Sequence, residues 1–131
     1  MHHMQIVEDI NNAVHRALTE NLHELDEMDL ISSSDASLMN LPIVGGSQPT
    51  TALLLRRYHT QLHSELCQGH QPRIRVETVE DELRELTRAV VVTMGGAEGM
   101  SIEGAVLIAL VIQKRGLTTF CNLPATGFTQ R

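Results

Sequence analysis

The chain is nearly without aromatic side chains, with two Phe, one Tyr and no Trp in 131 residues. That shortage argues against modules that hold single-stranded nucleic acid by stacking bases on aromatic platforms. It leaves the core to Leu, Ile, Val, Ala and Met. Cysteine is equally scarce. Cys67 and Cys121 are the only two, too few for a disulfide scaffold in a chain long enough to bury a core of its own, and both are expected as small buried thiols. No apolar run reaches the ~20 residues of a bilayer crossing. The N-terminus lacks a basic-then-apolar leader pattern, and a cytoplasmic protein is the expectation. Residues 1–4 read as a cloning remnant.

Basic residues are missing from the first part of the chain. Residues 1–50 carry Arg16 alone against eight carboxylates, whereas residues 51–131 carry nine basic against eight acidic side chains, so the formal charge of −6 resides in the first part. An acidic protein repels phosphate at long range, which disfavours nucleic acid as a partner. It favours a protein partner with a basic surface. The candidate contacts are Glu20, Glu24, Asp26, Glu27 and Asp29, at the end of the first helical pattern and in the acidic segment after it.

What the sequence has in abundance is helical periodicity. Ile6, Ile10, Val14, Ala17, Leu18, Leu22 and Leu25 recur at steps of three and four, predicting an amphipathic helix from Gln5 to about Leu25. Residues 26–46 lose that period and gain Ser and Asp, and are expected as a long mobile loop. A second helix is predicted from Pro49, capped by Ser47 or Gln48, to about Gln68. Arg73–Glu77 alternates like a strand and is the one short extended segment expected. Thr78 caps a third helix, with Glu80, Asp81 and Glu82 at its positive end, and Gly95–Gly96 is expected to stop it.

The fourth helix organises the rest. Gly104–Ile112 (GAVLIALVI) has no polar side chain. Ser101 is placed to cap it, Glu103 complements the start of its dipole, Lys114 and Arg115 complement the end, and Gly116 closes it. A helix apolar all round must be covered all round. Three partly amphipathic neighbours leave some of it uncovered, which predicts a homodimer. The fold class expected is mainly α: a four-helix bundle-like single domain over 1–131, with a packed C-terminal tail frayed over 125–131.

Chemistry is harder to find. His59, His63 and Cys67 lie four apart on the second helix, so adjacent pairs of them can share a zinc or similar divalent ion. Positions eight apart are ~12 Å apart along the axis, so one ion needs further ligands from elsewhere. No nucleophile–base–orienter set is evident. The Gly95–Ser101 stretch resembles a phosphate cradle only in its glycines, since it lacks the Lys-Ser/Thr ending and carries Glu98. A helix-turn-helix reading fails because the would-be recognition helix is GAVLIALVI, with nothing to offer base edges. Arg56, Arg57, Arg73, Arg75, Arg84 and Arg88 are left as a conceivable basic patch. By elimination the sequence points to a non-enzymatic protein-interaction module, an adaptor or regulator without a cofactor. A metal-binding helical protein is the alternative, and a small enzyme or nucleic-acid-binding regulator ranks third.

Overall fold

The computed structural model describes residues 2–39 and 49–122. It is a mainly α single domain with one two-residue hairpin. Helix α1 (His2–Thr19) buries Ile10, Val14 and Ala17 of the predicted stripe and Ala13 beside them, while Ile6, also expected in the stripe, is exposed. It ends earlier than its periodicity suggests. Asn21 adopts a left-handed conformation (φ 60°) that a short polar side chain tolerates, and a 3₁₀ turn (Leu22–Glu24) follows.

The segment expected as a loop is largely a helix. Asp26 accepts the Asp29 N–H at 2.8 Å and caps α2 (Glu27–Leu38). Leu30, Ser34 and Leu38 form its buried stripe. With serine in the middle of the stripe, hydrophobic periodicity alone does not reveal it. Ser34 is buried with a partner, the Thr51 hydroxyl donating to its Oγ at 2.7 Å, and beside the stripe Ser37 meets α7 where that helix has no side chain. A Cβ at Gly104 would lie 3.1 Å from Ser37 Oγ and 3.2 Å from Ser101 Oγ. Residues 40–48, which include the Ser47/Gln48 cap and the end of the predicted loop, lie outside the described residues, as do 123–131, the tail expected to fray included.

The second predicted helix is two. Thr50 caps α3 (Thr51–Arg57), its hydroxyl accepting the Leu53 N–H, and Asp35 accepts the N–H of Thr51 at 2.7 Å. At Tyr58 the backbone leaves helical geometry (φ −103°, ψ 13°) before α4 (His59–Leu66) resumes. Strands β1 (Cys67–Gln68) and β2 (Gln71–Pro72) then pair antiparallel, earlier in the chain than the alternating Arg73–Glu77 segment, which is not a strand.

Thr78 caps α5 (Val79–Val90) as expected, accepting the Asp81 N–H at 3.0 Å. The helix does not stop at Gly95–Gly96. It widens into a π turn (Val91–Gly95), beginning within the Val90–Val91–Val92 triplet whose β-branched side chains crowd an α turn. It continues through α6 (Gly96–Glu98) to Gly99. Gly99 takes φ 68°, and the Met100 N–H reaches back to the Gly95 carbonyl at 2.8 Å, the closing bond of a Schellman motif.

Helix α7 (Ile102–Arg115) has the expected bounds, with Ser101 accepting the Gly104 N–H at 3.0 Å. Every residue from Gly104 to Ile112 is buried except Leu107, which is half-buried. α5 and α2 lie along it most extensively, joined by α1 and by α8 (Leu117–Asn122). One copy of the chain thus covers the helix. The uncovered perimeter that predicts a homodimer is not present, because α2 supplies the missing neighbour. Among the described residues no helix is long and apolar enough to cross a membrane.

Candidate interaction face

Where α1 runs beside α7, the side chains on α1 are small. Ala13 and Ala17, one helical turn apart, face Val106 and Leu107 and leave a concavity of about 140 Å³, lined also by Leu22, Arg16, Glu20 and Glu103. A second hollow of about 330 Å³, lined by Asp9, Asn12, Arg16, Ile102 and Glu103, adjoins it. The two share Arg16 and Glu103, whose side chains pair at 3.1 Å across the seam. That pair is well exposed on both sides, so solvent screens it and it contributes little to holding the seam shut. Glu103 was legible in the sequence only as a helix-start charge. Its position opposite Arg16 follows from packing between elements far apart in the chain.

The five predicted carboxylates divide by role. Glu20 lines the seam. Glu24 and Asp29 are exposed, and Glu24 lies 3.9 Å from His23. Asp26 is engaged as the cap of α2. Glu27 is half-buried and pairs with Arg115, tying α2 to the end of α7. Between them Met28 is 78% exposed, an apolar side chain amid acidic neighbours. The acidic stretch is therefore a folded corner in which Asp26 and Glu27 have structural partners.

The metal set is corrected by a disulfide. Cys67 is bonded to Cys121, so it is neither a free thiol nor a ligand. His63 Nε2 lies 3.0 Å from the Cys121 carbonyl. A carbonyl only accepts, so Nε2 carries its proton and offers no lone pair to a metal. His59 is buried, its ring 5.3 Å from Phe120 and 5.8 Å from His63. Among the described residues no group of three His, Cys, Asp or Glu side chains could hold an ion. The disulfide, Phe120 and the His63 contact together dock α8 against α4. Sequence offered no sign of the pairing, since two thiols 54 residues apart meet only in the fold.

Among the described residues Arg57, Tyr58 and Glu98 also converge. The Tyr58 hydroxyl donates to Glu98 Oε2 at 2.6 Å, and Arg57 Nη1 donates to the same oxygen at 3.0 Å. Glu98 is only 12% exposed. The hydrogen bond to Glu98, then burial, then the carboxylate's charge push the phenol's ionisation above its ordinary value. That is opposite to what a catalytic phenolate requires. The cluster fastens the α3–α4 break to the end of α6. Of the glycines that resemble a phosphate cradle, Gly95 and Gly96 sit in helical turns and Gly99 ends α6 in a left-handed conformation.

Four of the six arginines have local partners, Arg57 through Glu98 as above. Arg84 pairs with Glu80 and with Asp81, whose carboxyl it holds below its ordinary value, Arg88 pairs with Glu85, and Arg73 donates to the Cys67 carbonyl. Of the six, Arg56, Arg73 and Arg75 have no ion pair among the described residues. No protein-family model, curated protein or solved structure matches this chain.

Proposed function

We propose that the chain is a protein-interaction module, an adaptor or regulator, that presents the α1–α2 corner and the adjoining α1–α7 seam to a partner with a basic surface. The observation that carries this reading is the seam itself: an open, apolar-floored concavity whose rim and nearby corner bear more carboxylates than cations. Charge complementarity of this kind steers encounter and selects partners. The Cys67–Cys121 bond, within the protein, supports an oxidising compartment over the cytoplasm, where thiols are kept reduced.

The test neutralises only carboxylates without a structural role. A Glu20→Gln, Glu24→Gln, Asp29→Asn variant leaves the Asp26 cap and the Glu27–Arg115 pair intact. A partner captured by the wild-type protein at low salt should be lost by this variant, and lost from wild type at several hundred millimolar NaCl. Capture indifferent to both changes overturns the reading.

A further inference from the structure

We propose that the α1–α7 seam receives one short amphipathic helix of the partner, bearing Lys or Arg beside an apolar anchor. This inference rests on the interaction reading above and specifies the occupant. The shape is linear. From Asp9 to Glu20 the lining follows α1 for ~16 Å, about three helical turns, at 1.5 Å per residue. The floor is apolar and takes a single large side chain. Its hollow of about 140 Å³ is close to the ~150 Å³ that accommodates a benzene ring in an engineered core cavity. Leu, Met or Phe is the matching anchor.

Charge decides what surrounds the anchor. Arg16, the lone cation of the rim, is already paired with Glu103, while Asp9 and Glu20 stand toward opposite ends. A basic residue one or two turns from the anchor on either side therefore meets a carboxylate. A further lysine can compete with Arg16 for Glu103, since that pair is exposed. An extended peptide adding to a sheet edge is the other common mode of recognition, and this seam between two helices offers no such edge.

The probe is a capped 14-residue peptide with leucines at helical spacing and lysines elsewhere, titrated into the full ¹⁵N-labelled protein. The expected result is saturable shifts centred on the amides of Ala13, Ala17, Glu20, Val106 and Leu107. Affinity should fall about tenfold between 50 and 300 mM NaCl as the exposed charges are screened. It should be lost with a glutamate-for-lysine peptide and with a proline-broken lysine peptide. Because the mapping uses the wild-type protein, no variant has to fold for it to succeed. Shifts confined to another acidic surface such as Glu80–Glu82, or equal binding of the broken peptide, overturn the inference. If the seam stays silent while the triple-neutral variant still loses its captured partner, the helix-in-seam inference falls and the interaction reading stands. If capture is also unaffected, both fall.

Discussion

Replacing both cysteines tests the tertiary arrangement most sharply. The bridge joins β1 to α8 across a sequence separation of 54 and closes the chain around α5, the π turn and α7. In the chain-entropy account, releasing a loop of that length restores roughly 14 cal/mol/K to the unfolded ensemble, or about 4 kcal/mol at 25 °C. Alanine is the better replacement, since serine would bury a hydroxyl needing a partner. A Cys67→Ala, Cys121→Ala protein should therefore remain folded but lose about 4 kcal/mol of a total expected near 5–15 kcal/mol. Its melting temperature should fall by roughly 15 °C for a domain of this size. Each single variant breaks the same bond, so each should cost nearly as much as the double, a strong departure from additivity. Circular-dichroism unfolding in urea, with and without a phosphine reductant, measures all of these. A loss below about 1 kcal/mol for the double variant refutes the reasoning. So does finding two reactive thiols in unreduced, denatured wild-type protein.

Two further outcomes follow from particular contacts. Gly104→Val should lower the urea midpoint by an amount equivalent to about 1–3 kcal/mol, because its side chain enters the close approach of α2 to α7, whereas Gly104→Ala should be milder, adding one atom against Ser37, Ser101 and Met100 and gaining helix propensity. A valine variant as stable as wild type would show that the helices do not cross there. Tyr58 is the only tyrosine, so phenolate absorbance at 295 nm reports it alone. Its titration should lie above the usual value near 10 and move down in Glu98→Gln, which removes the acceptor's charge. Since the fold favours the neutral phenol, its contribution to stability is complete below the unfolded phenol's pKa and disappears as pH rises through the raised folded value. An unchanged midpoint in Glu98→Gln would remove Glu98 as the cause.

Much of the architecture could be read in advance, because those features are local. The cap at Ser101, the charges at Glu103, Lys114 and Arg115, and the unbroken apolar run define α7 within a few turns of chain. Thr78 and the acidic turn after it define the start of α5 in the same way. Helix α2 escaped because its buried stripe contains Ser34, and serine reads as loop until Thr51 is known to lie opposite it. The break at Tyr58 escaped because the apolar period runs straight through it, and the Glu98 carboxylate that holds the Tyr58 hydroxyl is 40 residues away.

The sequence alone determined the helical class, the greasy helix at the centre with its ends, and the imbalance of charge between the two parts of the chain. Each follows from the properties of neighbouring residues. Tertiary structure decided that one copy suffices to cover that helix, that Cys67 finds Cys121, that Asp26 and Glu27 serve the fold, and that two alanines on α1 leave a hollow beside Val106 and Leu107. These depend on which distant surfaces meet. Close packing makes such meetings turn on the absence of a single side chain, as at Gly104 or Ala17, and no periodicity within one segment encodes what stands across from it.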